Sequence, residues 1–126
     1  DSVGWMFSAC ISPLSDEVAL RWRRDTPDAS NHLRDITGIW IVSLTESSQK
    51  FVSSQKGHVF GWSDDGQWIY ALSESTILRI GKDGGAVDTL MNLSSEDIAD
   101  ITKGKGNQFI YSDEQADQDV WIVQTK

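Results

Sequence analysis

Ser63-Asp64-Asp65-Gly66-Gln67-Trp68-Ile69-Tyr70 is a tight turn that runs straight into the start of a strand. Its aspartates can cap the turn through their carboxylates, and Gly66 supplies the positive φ that such a turn requires. Beyond the turn, Trp68-Ile69-Tyr70-Ala71-Leu72 is apolar on both faces, the pattern of a strand sandwiched between neighbouring sheets. Val59-Phe60-Gly61-Trp62 precedes the turn and has the same character. Asp83-Gly84-Gly85 marks a further hairpin.

Working outward, the unit recurs. Gln67-Trp68-Ile69-Tyr70 matches Gln108-Phe109-Ile110-Tyr111 at a step of 41 residues, and Val59-Phe60-Gly61-Trp62 falls opposite Asp100-Ile101-Thr102-Lys103 at the same step. Thr76-Ile77-Leu78-Arg79-Ile80 falls opposite Asp119-Val120-Trp121-Ile122-Val123, two residues having slipped into the connecting loop. An earlier copy lays Ser12-Pro13-Leu14-Ser15-Asp16-Glu17-Val18-Ala19-Leu20 on residues 63–71, with Gly38-Ile39-Trp40-Ile41-Val42-Ser43-Leu44 as its later strand. On this alignment Ile69 and Ile110 are equivalent buried positions. A period of about 40–45 residues carrying four short strands is the signature of a propeller blade.

The turn-and-strand pattern resembles the TolB-like propeller repeat, a relative of the WD-repeat propellers. Residues 63–70 carry the resemblance best, with Asp64 where that family usually has Pro; Ser12-Pro13 keeps the Ser-Pro, and Ile39-Trp40 and Val120-Trp121 match its third strand. The expected fold is therefore all-β, built of about three four-stranded antiparallel β-propeller blades. Blade one spans about 7–54, blade two about 57–93 and blade three about 98–126, the last one incomplete. Such a segment is a fragment, or half, of a closed propeller, completed by homo-oligomerisation or by further blades, with Asp1 to Phe7 free to complete a neighbour's sheet. The six-residue stretch Ser94–Ala99 reads as a connection between blades, with one capped helical turn as its alternative.

Composition narrows the function. At 39% hydrophobic and 24% charged the chain is an ordinary globular sequence, and no apolar run nears the ~20 residues of a membrane span. A formal net charge of −8 argues against nucleic acid as a partner. Cys10 is the only cysteine, so no internal disulfide or cysteine-based zinc site can form, and its apolar neighbours make it a small buried side chain. His32 and His58 are the only histidines, and no Gly-x-Ser-x-Gly elbow occurs, so no catalytic residues, metal or cofactor are expected. Residues 113–119 are acidic but lack an EF-hand pattern, and read as a solvated hairpin loop. Trp40, Trp62, Trp68 and Trp121 lie in apolar strands and read as core rather than as a sugar platform.

One charge bias stands out. Arg21, Arg23, Arg24 and Arg34, with His32 among them, lie in or beside a stretch between Arg23 and Asp35 that is longer than its counterparts and reads as an inserted loop. Arginine suits carboxylates and phosphates through bidentate bonds, so these five residues form the candidate binding site for an acidic protein or peptide. A solvated loop pairing its arginines with Asp25, Asp28 and Asp35 is the plain alternative. The resemblance implies a non-catalytic scaffold for protein or peptide binding. It equally allows the gating propeller of a prolyl-oligopeptidase-like peptidase, or a glycan- or small-ligand-binding propeller. The terminal run from Asp119 reads as a chain end, which disfavours the peptidase. A periplasmic or extracellular location is implied by the resemblance alone.

Overall fold

Short β-branched and aromatic runs separated by Gly, Asp and Ser can pair with the next run along the chain at little loop-closure cost, and that is what this chain does. The computed structural model describes residues 3–27, 33–84, 86–93, 98–113 and 120–125. Among the described residues there is no helix. The strands are β1 (Val3–Ile11), β2 (Glu17–Pro27), β3 (Leu33–Ser43), β4 (Gln49–Ser53), β5 (His58–Trp62), β6 (Trp68–Ser73), β7 (Thr76–Gly81), β8 (Val87–Asn92), β9 (Ile98–Lys103), β10 (Gln108–Asp113) and β11 (Val120–Gln124). They form three antiparallel sheets, in the orders β1-β2-β3-β4, β5-β6-β7-β8 and β9-β10-β11. The protein is all-β.

The sheets stack in chain order, β1 lying beside β5 and β5 beside β9. Two cores result. The first joins Ala19, Ile39, Ile41 and Val52 of the first sheet to Val59, Trp62, Ile69, Ala71 and Ile80 of the second. The second joins Tyr70, Leu72 and Ile77 of the second sheet to Phe109 and Tyr111 of the third. Successive residues of β6 thus serve opposite cores, as the two-residue period of a strand requires. Polar ties hold the stack in register. The Val59 amide donates to Ser8 Oγ at 3.1 Å, and the Trp62 indole N–H donates to the Cys10 carbonyl at 3.0 Å. Ion pairs bridge Lys82 to Glu17 at 2.6 Å and Lys103 to Asp64 at 2.8 Å.

The turn at Ser63–Gly66 forms as its chemistry dictates. The Ser63 hydroxyl donates to Asp65 Oδ1 at 2.6 Å and accepts from the Trp68 amide at 3.0 Å, while Gly66 sits at a φ of 71°. The Ser63 hydroxyl, then the Gln67 amide, holds the Asp65 carboxyl below its ordinary range. Asp16 plays a comparable part in the first sheet. It accepts from the Thr45 hydroxyl, from Ser43 Oγ at 2.9 Å and from the Thr45 amide at 3.1 Å, and is likewise held low.

Three expectations are corrected. The first concerns the stretch from Arg23 to Asp35: residues 23–27 and 33–35 extend β2 and β3 rather than belonging to an inserted loop, and residues 28–32 lie outside the described residues. β2 and β3 stay paired from Glu17↔Ser43 out to Pro27↔Leu33, well past the end of β4, which pairs only as far as Ile39↔Ser53. A cross-strand ladder satisfies the backbone of a polar stretch as well as solvent does, so its composition concealed the strands. The second concerns Asp1 to Phe7: residues from Val3 onward are not free but pair within the first sheet, from Val3↔Asp25 inwards. The third concerns Ile98 and Ala99, which open β9 rather than belonging to a connection; residues 94–97 lie outside the described residues.

The fourth strand of the first sheet closes over a glycine. A Cβ added at Gly38 would stand 2.2 Å from the Ser53 carbonyl oxygen and 2.8 Å from Phe51 Cε2. One of these neighbours is backbone, so the clash cannot be relieved by turning a side chain. Gly38→Ala is expected to cost about 1–3 kcal/mol of unfolding free energy in urea titration, the usual penalty for overpacking. An unchanged midpoint would show that β4 can step aside.

Candidate interaction surface

The end of the stack from which the β2–β3 hairpin projects is also where the first strands of all three sheets converge. Between them lies a groove of about 440 Å³, walled by Ser8 of β1, His58, Val59 and Phe60 of β5, and Ile98 and Asp100 of β9. Ser8 is the cross-strand partner of Arg21, and Arg21 pairs in turn with Ile39, the last rung that β4 covers. The hairpin therefore rises from the groove's wall on the first sheet. Ser8 Oγ is already engaged by the Val59 amide. His58 opens β5 and is exposed.

The five candidate residues have different surroundings. Arg21 and Arg23 alternate with Trp22 along β2, so they project to the same side of the sheet. The Arg21 guanidinium lies 5.0 Å from the centre of the Phe7 ring, a cation–π contact that orients it. Its Nε is buried, with no hydrogen-bond partner among the described residues. Arg23 is exposed. The backbones of Arg24 and Arg34 stand in the same ladder, opposite Ile36 and Thr26. His32 lies outside the described residues, as do 114–119 of the acidic stretch. One hairpin thus carries all four arginines, and a strand pair holds them at fixed spacing where a loop would not. The groove itself was not legible in the sequence, because its walls come from three strands far apart in the chain.

Elsewhere the chemistry is structural. Among the described residues no three of His, Cys, Asp and Glu gather closely enough to hold a metal ion. Arg79 lies 4.1 Å from the centre of the Trp68 ring and pairs with Asp88 at 2.6 Å, so the fifth arginine is occupied within its own sheet. Of the four tryptophans expected in the core, Trp40 and Trp62 are 7% and 4% exposed, but Trp68 is only half-buried and Trp121 is 49% exposed.

Cys10 packs against the first core, and burial pushes its thiol up to about 11. Below about pH 9 the thiol is protonated in both folded and unfolded chains. Between about 9 and about 11 the unfolded chain ionises first, so stability falls as pH rises through that window. A disulfide reagent at pH 8 should accordingly modify Cys10 much more slowly in the native protein than in urea, and equal rates would contradict its burial.

Comparison with protein-family models, with curated proteins and with solved structures finds no match to this chain.

Proposed function

We propose that this chain is a run of three TolB-like β-propeller blades acting as a non-catalytic scaffold, and that it binds an acidic protein or peptide at the end bearing the arginine hairpin. The observation that carries the reading is the arrangement of the sheets. Each is a simple antiparallel meander, and they stack in chain order with first strand beside first strand, as blades do around an axis. The hairpin and the groove then share one face of the array. Four of the five arginines of a chain with net charge −8 stand on that hairpin. A strand pair bearing four arginines beside a cleft suits an extended carboxylate-rich segment.

An array of synthetic acidic decapeptides, probed at low salt, tests the reading. Capture should exceed that of neutral decapeptides and weaken as salt screens the contact. Replacing Arg23, Arg24 and Arg34 together with Ser should leave the circular dichroism spectrum unchanged and reduce capture by about tenfold or more, since each charge-assisted contact is worth over 1 kcal/mol. Equal capture by parent and variant would reject the hairpin as the binding element.

A further inference from the structure

The three sheets can be superposed rung by rung from their pairings alone. Leu20↔Trp40, Ala71↔Leu78 and Tyr111↔Trp121 occupy the same rung, two residues in from Val18↔Val42, Ile69↔Ile80 and Phe109↔Val123. In the first sheet this rung continues onto β4, where Phe51 stands opposite Trp40, its ring edge-on at 5.3 Å. In the second it continues onto β8, where Thr89 stands opposite Leu78. Trp40 and Leu78 are 7% and 8% exposed, whereas Trp121, at the same position of the third sheet, is 49% exposed. Among the described residues nothing pairs with the outer edge of β11, and Val120 and Ile122 beside Trp121 are 65% and 66% exposed.

The two existing fourth strands agree on more than position. Each carries a β-bulge at the same place, between the rungs of Ile39 and Trp40 in one sheet and of Ile77 and Leu78 in the other. The residue set into each bulge is aliphatic, Val52 and Leu90, and each packs into the core that its sheet shares with the next. Both fourth strands are thus short antiparallel segments with a bulged aliphatic residue, and where the central side chain of the acceptor is a tryptophan, the residue before the bulge is the aromatic Phe51, whose ring meets it.

We infer that the open edge of β11 is an acceptor site for a β-strand donated by another polypeptide. The donor is an extended segment of about five residues that lays an aromatic or large apolar side chain on Trp121 and sets an aliphatic residue directly after it. Main-chain pairing with Val120–Gln124 supplies the affinity, and the Trp121 contact sets the register. The inference rests on the pairings of the three sheets and is independent of the arginine hairpin and of the propeller reading.

A synthetic peptide copying residues 48–54, Ser-Gln-Lys-Phe-Val-Ser-Ser, is the probe. Added at millimolar concentration to the full chain, it should slow amide hydrogen exchange at residues 120–124 several-fold. In protein labelled with 5-fluorotryptophan, it should shift the fluorine resonance that disappears in Trp121→Phe. Trp121→Ala, at a half-exposed position, should abolish the exchange response. A Phe-to-Ser change in the peptide, which leaves the protein untouched, should abolish both responses. Unaltered exchange at 120–124, or equal binding by the Phe-to-Ser peptide, overturns the assignment. Protection of β11 that rises with protein concentration in the absence of peptide, and persists when Ile11→Lys and Val120→Lys block stacking of the outer faces, also overturns it, because the edge then pairs with a second copy.

Discussion

Phe109→Ala should lower the free energy of unfolding by about 3–5 kcal/mol, while Ile110→Ala, one residue on, should cost about 1 kcal/mol or less. Phe109 is fully buried and meets Phe60 and Tyr70 edge-on, with ring centres 5.8 Å and 5.1 Å away. Deleting it removes an aromatic side chain from the middle of the second core and two ring contacts with it. Ile110 points the other way and is only half-buried. Ile69→Ala, at about 2–5 kcal/mol, should resemble Phe109→Ala and not Ile110→Ala. Urea unfolding of the three variants decides the matter. A loss at Ile110 equal to that at Ile69 would restore the sequence alignment and refute the placing of Phe109 and Ile110 on inner and outer faces.

That contrast corrects the equivalence of Ile69 and Ile110, and the cause is a single turn. The hairpin joining β1 to β2 closes from the Ser12 amide to the Glu17 carbonyl, and that joining β5 to β6 from Ser63 to Trp68. The turn between β9 and β10 closes from Gly104 to Gln108, one residue shorter. Trp62 pairs with Ile69 and Lys103 with Phe109, so Phe109 is the structural counterpart of Ile69. A one-residue slip moves every side chain of a strand to the other face. The step of 43 residues for the strand after β10 agrees with the pairings throughout, and the step of 41 for the strand before the turn agrees at Gly61 and Trp62; beyond the bulge in β5, Val59 shares its rung with Ile101, and β10 itself is displaced by one residue. Gln-aromatic-Ile-Tyr, present in both copies, drew the alignment to the wrong register. Because the strands are apolar on both sides, no inside–outside alternation opposed it.

The all-β class was legible because turn residues and short apolar runs are local signals, as the Ser63–Asp65–Gly66 turn illustrates. What local signals cannot report is how far a ladder continues. The stretch from Arg23 to Asp35 holds Pro, Asp, Asn and Ser, and its arginines were noticeable as a charge bias. Their strand placement depends on pairing between β2 and β3, which composition does not encode. Trp121 failed for a related reason. Its own neighbours match those of Trp40, and the difference lies on a strand that the first sheet has and the described third sheet lacks. Burial of a strand residue is a property of the sheet on either side of it, not of the strand that carries it.

The largest effect expected of this polypeptide is that it associates in solution. Ile39 and Ile77 are fully buried against the next sheet of the stack, yet Val120, their counterpart on the same rung, is 65% exposed. At the other end, Trp62 is 4% exposed against the preceding sheet, while Ile11, its counterpart, is 67% exposed. Met6 and Phe51 add 63% and 40% exposure to the side of the first sheet that bears Ile11. The two outer faces are thus the two halves of an interface that the chain already builds twice, and each half is open. Contiguous apolar surface of this kind is rare on a stable monomer. Stable pairs bury about 1,200–2,000 Å² in total, and apolar burial at ~25 cal/mol per Å² rivals the stability of a small domain. Light scattering on the purified chain should therefore report a dimer or a larger species. Ile11→Lys combined with Val120→Lys should shift it toward monomer, because each lysine places a charge in the centre of the contact, whereas Lys56→Glu on an exposed connection should not. A parent chain that stays monomeric at high concentration, with the double variant indistinguishable from it, would show that the outer faces are compatible with water and that stacking ends at three sheets.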